Sequence, residues 1–302
     1  MVEDSSGKDE VEQKELFASG HRGCAGCGEM NGVRQVLAAA GPNTIVANAT
    51  GCLEVATTSW PETSWEVPWI HAAFENAAAV ASGIDAALTQ MKKRQGINLF
   101  AFAGDGGTFD IGFQAISGML ERQQKVIFVV YDNEAYMNTG IQRCSSTPYG
   151  ASTTTCPSGT CSVGEQHAKK PMAMIVAAHG IKYTATATIG YHADLKRKVK
   201  RACELEGPCF LHVLAPCPTG WRHDSADTIA LSRLAVDTGM FILWELEGHN
   251  LKDIKLSRKP KERKPVIEYL KAQGRFRHLM NRPDEQAKIQ KQIDEQCAQF
   301  GF

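Results

Sequence analysis

Asn98-Leu-Phe-Ala-Phe-Ala-Gly-Asp-Gly-Gly107 is the stretch of the sequence that best indicates the fold. It is a short apolar run that ends in a glycine-rich turn. Residues 110–123 then have the spacing of a helix, and residues 125–131 form a second apolar run. This order predicts two parallel strands joined by a helical crossover, because parallel neighbours need a long connection.

Four apolar runs of the chain end in residues that can hold a cofactor. The carboxyl ends of the strands in an open parallel sheet lie at one edge, where ligands bind. The sequence therefore predicts an α/β fold, a mostly parallel sheet with helices on both faces, and a ligand site at that edge. The runs and the residues that follow them are 44–50 with Gly51 and Cys52, 98–103 with Gly104 and Asp105, 125–131 with Asp132 and Asn133, and 210–215 with Pro216 and Cys217.

The composition excludes several classes of function. With 33 basic and 33 acidic residues, the net charge of zero argues against broad binding to nucleic acid or to an anionic membrane. No apolar run approaches the ~18 residues that a membrane span needs, and the polar residues 1–15 do not resemble a secretory signal. Ten cysteines spread over 302 residues do not form the pattern of a small secreted scaffold, so a reducing, cytoplasmic compartment is expected.

The chain is expected to divide into one large domain and an arm. Residues 1–250 are interpreted as the α/β domain, with residues 1–19 as an N-terminal extension. Residues 251–302 are interpreted as a C-terminal helical arm that packs on a partner, because a basic, proline-interrupted segment opens it. The two helices expected in the arm are residues 265–279 and 283–298.

Gly104-Asp105-Gly106, followed one helix and one strand later by Asn133, has the composition of a phosphate and magnesium site. Glycines let a phosphate approach backbone N–H groups, and the helix that follows presents its positive end to the anion. Asp105 and Asn133 offer the oxygen ligands that Mg²⁺ prefers. Each sequence alone would be an ordinary turn, but their combination favours a diphosphate bound through a metal.

The sequence contains a CxxC pair, Cys24-Ala-Gly-Cys27, and two further cysteines at predicted strand ends, Cys52 and Cys217. A CxxC pair can hold zinc, act as a redox dithiol or ligate an iron–sulfur cluster. A structural zinc site more often has two such pairs, and a redox dithiol needs no further cysteine. Four thiolates that meet at one edge would hold a [4Fe–4S] cluster. The cysteines of the long loop at residues 138–170 are interpreted as thiols without a ligand role: Cys144, Cys156 and Cys161.

Taken together, these motifs resemble the β subunit of the 2-oxoacid:ferredoxin oxidoreductases, and the pyruvate enzyme is the nearest match. The resemblance covers residues 19–224 and is weaker in the arm. It implies the thiamine diphosphate-binding fold. The motifs that carry it are Cys24-Ala-Gly-Cys27-Gly28, Asn48-Ala-Thr-Gly-Cys52, Gly104-Asp-Gly-Gly107, Tyr136-Met-Asn-Thr-Gly140 and Ala215-Pro-Cys217.

The resemblance also implies roles for individual residues. Asp105 and Asn133 would bind Mg²⁺ together with the backbone carbonyl of Ala135, and Asn138 would lie near the substrate carbon as the catalytic residue. The residues implied for the [4Fe–4S] cluster are Cys24, Cys27, Cys52 and Cys217. The residues implied for thiamine diphosphate are Thr50, Gly51, Cys52, Phe74 at the aminopyrimidine ring, Gly104, Asp105, Gly106, Gly107, Asn133, Asn138 and Thr139.

The function implied is the thiamine-dependent oxidative decarboxylation of a 2-oxoacid, with coenzyme A as co-substrate and single electrons passing through the cluster to ferredoxin. Pyruvate is the expected substrate, and oxalate, 2-oxoglutarate and branched 2-oxoacids remain alternatives. An α-type subunit would supply the glutamate that activates the aminopyrimidine ring, and a ferredoxin-like subunit with two clusters would carry electrons onward. The other hypotheses are a non-redox thiamine lyase, a non-catalytic iron–sulfur relay and a zinc-bound structural domain.

Overall fold

The computed structural model describes residues 15–302, so residues 1–14 of the expected N-terminal extension lie outside the described part. Its centre is one eight-stranded sheet, and a separate two-stranded sheet lies in the long loop. The strands are β1 Thr44–Ala49, β2 Trp69–Ala72, β3 Asn98–Gly104, β4 Ile127–Asp132, β5 Ser158–Gly159, β6 Ser162–Val163, β7 Tyr183–Thr188, β8 Cys209–Leu214, β9 Leu243–Glu247 and β10 Lys255–Arg258.

The order of the main sheet is β10-β9-β7-β8-β4-β3-β1-β2. The six strands from β7 to β2 in this order run parallel, and β9 and β10 add an antiparallel edge. Alternate residues of β3 enter two different cores, with Leu99 in one and Phe100 in the other. A strand that is buried on both faces needs an unbroken apolar sequence, which is why the apolar runs predicted the central strands.

Helices cover both faces of the sheet, and the predicted α/β class is confirmed. Val33 and Leu195, from the first and sixth helices, share the core of Phe100, whereas Ala81 and Met119 share the core of Leu99. None of the described helices is long and apolar enough to cross a membrane. The helices are α1 Gly28–Ala40, α2 Cys52–Thr57, α3 Ala77–Gln90, α4 Phe113–Glu121, α5 Met172–Ala177, α6 His192–Glu204, α7 Pro218–Trp221, α8 Thr228–Asp237, α9 Val266–Lys271 and α10 Pro283–Gln299.

The helix after β3 begins earlier than the sequence predicts, directly behind Asp105. Its first turn is a π-helix, Gly106–Asp110, which precedes α4. Gly112 is required at the junction because a Cβ there would lie 2.0 Å from the carbonyl oxygen of Gly107. Single π turns are frequent at functional sites. This one begins directly after Asp105, the predicted metal ligand.

The C-terminal residues differ from the predicted pair of helices. The basic segment contributes β10, whose lysine and arginine side chains suit an exposed sheet edge. The prediction of a single helix at residues 265–279 is wrong, because α9 ends at Lys271 and a 3₁₀ helix, Gly274–Asn281, follows. Gly274 approaches Arg222 so closely that a Cβ would lie 2.7 Å from that residue's Cβ. The buried side chains of Ile289 and Ile293 pack α10 on the core that contains Leu99 of β3.

Candidate functional site

Four adjacent strands deliver the predicted site residues to one edge of the sheet. The order β1-β3-β4-β8 is continuous, and all four strands are parallel. Cys52 follows β1, Asp105 follows β3, Asn133 follows β4, and Cys217 follows β8 after two further residues. The predicted convergence at the carboxyl ends of these strands is therefore present in the backbone.

Asp105 is almost completely buried, with 2% of its surface exposed. One carboxylate oxygen accepts the Gly106 N–H at 2.8 Å, and the other lies 3.5 Å from the donating thiol of Cys144. Burial, and then the nearby negative charge of Asp132, hold the pKa of Asp105 well above its ordinary value. An ionised carboxylate in this position is costly unless a cation compensates it.

Asn133 directly follows the neighbouring strand β4, as Asp105 directly follows β3, and it is also buried. Its side-chain nitrogen donates to Glu29 at 2.5 Å, and its backbone carbonyl accepts the indole N–H of Trp221 at 2.6 Å. Among the described residues, its side-chain oxygen Oδ1 is buried without a hydrogen-bond partner. A buried, unpaired oxygen is costly in a folded protein, and an amide oxygen of this kind suits a hard cation such as Mg²⁺.

Glu134 gives the turn between Asn133 and Ala135 its shape. It adopts a φ of +68°, which is uncommon for a residue with a side chain. Its carboxylate is buried and is held by Lys169 at 2.7 Å and by Arg275 at 2.6 Å. These two cations stabilise a conformation that would otherwise be strained.

The glycines around the site fall into two groups. A Cβ at Gly51 or Gly104 would meet nothing within 4 Å, so both backbones face open space. A Cβ at Gly106 would lie 2.1 Å from the ring of Tyr136, and one at Gly107 would lie 3.0 Å from the carbonyl oxygen of Phe74. The backbone is therefore accessible at Gly51 and Gly104 and is packed against Tyr136 and Phe74 at Gly106 and Gly107. Accessible backbone N–H groups are what a diphosphate-binding site requires.

The loop that carries Cys24 and Cys27 is seated on the segment before Cys217. The N–H of Gly28 donates to the carbonyl oxygen of Pro216 at 3.1 Å. A Cβ at Gly28 would lie 2.7 Å from that oxygen, so this close approach requires glycine. These backbone contacts bring the two cysteine-bearing segments together.

The cysteines influence one another electrostatically. Burial, then Glu29, and finally the Cys217 thiol raise the pKa of Cys27 to about 12. Burial, followed by Glu29 and the thiols of Cys217 and Cys27, raises the pKa of Cys52 far above its usual range. The pKa of Cys217 is raised to about 11, mainly by burial, and Cys24 contributes to the rise. Four ionised thiols here would need a strongly positive centre to compensate them.

No group of three or more His, Cys, Asp or Glu side chains within residues 15–302 is arranged to hold a single metal ion. The four cysteines therefore do not form a closed site for one ion, although Cys27, Cys52 and Cys217 influence one another and Cys24 influences Cys217. Two other predicted residues, Asn138 and Thr139, lie in an exposed turn. The hydroxyl of Thr50 is hydrogen-bonded to Nε2 of His71 at 2.6 Å.

Sequence reasoning missed several polar residues at this edge. Glu29 was detectable, because it precedes Val33 by four residues and Val36 by seven, which places it on the buried face of α1. Cys144 contacts Asp105 although it was interpreted as a thiol without a ligand role. Arg275 was not detectable, since nothing in the sequence indicates that the arm reaches Glu134.

The chain matches the family model described as "Thiamine pyrophosphate enzyme, C-terminal TPP binding domain" over residues 49–213. It is 56% identical to pyruvate synthase subunit PorB of Methanocaldococcus jannaschii over 296 residues, covering 96% of this chain and 98% of the relative. The chain belongs to the β-subunit family of 2-oxoacid:ferredoxin oxidoreductases. The resemblance inferred from the sequence is thereby confirmed.

Other relatives of this β subunit differ in name. Ketoisovalerate oxidoreductase subunit VorB of Pyrococcus furiosus is 47% identical over 270 residues, covering 88% of this chain and 86% of the relative. A solved 2-oxoglutarate:ferredoxin oxidoreductase from Magnetococcus marinus shares the fold with a TM-score of 0.58. At 22% identity, over 77% of this chain and 84% of that one, the likeness supports the fold alone.

Replacing Arg275 should loosen the turn at residues 133–136 of the β subunit. R275M leaves the buried carboxylate of Glu134 with Lys169 as its partner, and breaking a buried ion pair costs about 3 kcal/mol. We expect a lower thermal unfolding midpoint and faster hydrogen exchange at residues 133–136. R277M is the matched control, since Arg277 is exposed in the same 3₁₀ helix. Equal behaviour of the two variants would contradict this role.

Proposed function

We propose that this chain is the catalytic β subunit of a multi-subunit enzyme that oxidatively decarboxylates pyruvate to acetyl-CoA and CO₂, with ferredoxin as electron acceptor. One observation carries the proposal: Cys27, Cys52 and Cys217 influence one another electrostatically, Cys24 influences Cys217, and they share a sheet edge with Asp105 and the unpaired oxygen of Asn133. A thiamine site next to a cluster site is what one-electron oxidation of a 2-oxoacid needs.

Asp105, Asn133 and the backbone carbonyl of Ala135 would hold Mg²⁺, and the bare backbone at Gly51 and Gly104 would face the diphosphate. Bound there, thiamine diphosphate would supply the nucleophilic and electron-accepting chemistry that decarboxylation of a 2-oxoacid needs. The protein supplies orientation and charge compensation, since burial of Asp105 strengthens its attraction for a cation. Asn138, in its exposed turn, would reach the substrate at the subunit boundary.

Cys24, Cys27, Cys52 and Cys217 would ligate the [4Fe–4S] cluster. The support is their mutual electrostatic influence and the backbone contacts that seat the CxxC loop before Cys217. A cluster takes each thiolate at a different iron atom, so its ligands need not converge on a single point. Held by these residues, the cluster would supply one-electron redox chemistry beside the thiamine site.

The remaining parts of the active site would come from partners in a cytoplasmic complex. An α-type subunit would supply the activating glutamate and substrate contacts, and a two-cluster ferredoxin-like subunit would lead electrons to ferredoxin. Large exposed apolar side chains occur close in sequence to site residues, as expected of surfaces that partners cover. They are Val55, Ile70 and Ile111, with exposed fractions of 49%, 47% and 58%. The outer face of the arm, residues 251–302, would pack on a partner as well.

The substrate is tested by purifying the complex without oxygen and measuring reduction of a low-potential dye. Pyruvate with coenzyme A should give the fastest reduction, because the relative at 56% identity is named for pyruvate and the one at 47% for ketoisovalerate. Fastest reduction with 2-ketoisovalerate, 2-oxoglutarate or oxalate would reassign the substrate. Turnover without dye reduction would indicate a non-redox thiamine lyase.

A further inference from the structure

Glu29 occupies an unusual position for a carboxylate. It lies in the first turn of α1, two residues after Cys27, and 4% of its surface is exposed. Its neighbours on the buried face of the helix are apolar, including Met30 and Val33. A carboxylate buried in this way is costly unless its contacts compensate it. The contact made by Glu29 is therefore informative.

That contact is with Asn133. Oε1 of Glu29 accepts a hydrogen bond from Nδ2 of Asn133 at 2.5 Å. Because Oε1 is the acceptor in this contact, it engages the NH₂ end of the amide, which is the only end that can donate. The oxygen end of the amide is left buried and without a partner among the described residues. Rotating the amide by half a turn would bring two oxygens together at Glu29 and would present the NH₂ group in place of Oδ1.

The backbone of Asn133 is fixed independently of this contact. Trp221 donates its indole N–H to the backbone carbonyl of Asn133 at 2.6 Å, and Glu134 is held by two cations. The remaining freedom is the side-chain amide. Because a metal ion binds the oxygen and repels the NH₂ group, the orientation of this amide decides whether Asn133 can be a ligand.

We propose that Glu29 is the positioning residue that orients the Asn133 amide with its oxygen toward Mg²⁺. The proposal rests on the proposed magnesium site. Glu29 does not bind the metal and acts through the hydrogen bond to Nδ2. Since Glu29 belongs to the same helical start as Cys27, the segment that carries a predicted cluster ligand also orients a predicted metal ligand.

The test is a titration of the anaerobic complex with Mn²⁺ in place of Mg²⁺, with free Mn²⁺ followed by EPR. E29M keeps the side-chain length and removes the acceptor, and we expect it to weaken Mn²⁺ binding about ten-fold, which is about 1.4 kcal/mol. E29Q keeps an acceptor oxygen and should recover most of the affinity. Unchanged affinity in E29M would overturn the proposal.

A double-mutant cycle separates orientation from general damage. Threonine in the N133T variant offers an oxygen but has no amide to orient, so adding E29M to N133T should not weaken Mn²⁺ binding further. Equal losses in both backgrounds would show that Glu29 supports the structure generally and would overturn the positioning role. D105N tests the site itself: retention of Mn²⁺ affinity there would refute the magnesium site, and an effect of D105N without an effect of E29M would refute only the role of Glu29.

Discussion

Replacement of Asp105 by asparagine is expected to abolish magnesium-dependent binding of thiamine diphosphate while leaving the iron–sulfur cluster in place. Asp105 is the buried carboxylate of the proposed metal site, and it follows the strand beside the one that Asn133 follows. Loss of a residue that merely supports a metal ligand weakens metal binding about 10- to 100-fold, so loss of the charged ligand should exceed this range. Calorimetric titration of the anaerobic complex with thiamine diphosphate and Mg²⁺ measures the effect.

The same variant should behave differently without metal. After chelation, D105N replaces a carboxyl group whose charged form is disfavoured by burial and by the nearby charge of Asp132. We therefore expect the chelated variant to unfold at a temperature no lower than that of the chelated wild type. D237N is the control, because Asp237 is a partly exposed residue on α8 that pairs with Lys264. Normal cofactor binding in D105N would contradict the assignment of Asp105.

Replacement of Cys52 by serine is the second change with a large expected effect. Cys52 follows β1 and is influenced by the thiols of Cys27 and Cys217 and by Asp105, so it lies near residues of both proposed cofactor sites. Serine is a poor substitute for a thiolate ligand of iron. The C52S complex should lose iron, show an altered EPR signal of the reduced cluster and transfer electrons slowly, while it still binds thiamine diphosphate.

A matched control is available in the long loop. Cys156 is half-buried, as Cys52 is, and lies near Glu165 and Arg143. C156S should keep the iron content, the EPR signal and the rate of dye reduction of the wild-type complex. If C52S also keeps all three, Cys52 is not a cluster ligand. If C156S loses them, the cysteines of the long loop hold iron instead.

The sheet could be predicted largely from the sequence because its central strands are buried on both faces. β3 and β4 are largely apolar runs, and each is followed directly by the polar residue that defines the site, Asp105 or Asn133. The edge strands gave weaker signals. β2 has four residues, and β10 has the sequence Lys-Leu-Ser-Arg, which reads as a basic linker until its partner β9 is known.

The polar contacts that shape the site were less accessible. Glu29 and Asn133 are 104 residues apart in the chain, and Glu134 and Arg275 are 141 apart. Side-chain hydrogen bonds at such separations depend on tertiary packing, which local spacing does not encode. Glu29 had a partial signal in its helical position, whereas Arg275 required the break after α9 that turns the arm back toward Trp221.

The claim that the two cofactor sites lie side by side is tested most directly by anomalous diffraction at the iron edge. The crystals would be of the complex, prepared without oxygen and soaked with thiamine diphosphate and Mg²⁺. We expect iron density bounded by the sulfur atoms of Cys24, Cys27, Cys52 and Cys217, beside a diphosphate whose Mg²⁺ contacts Asp105 and Asn133. Iron located at other residues of this chain, or a diphosphate bound away from Asp105, would contradict it.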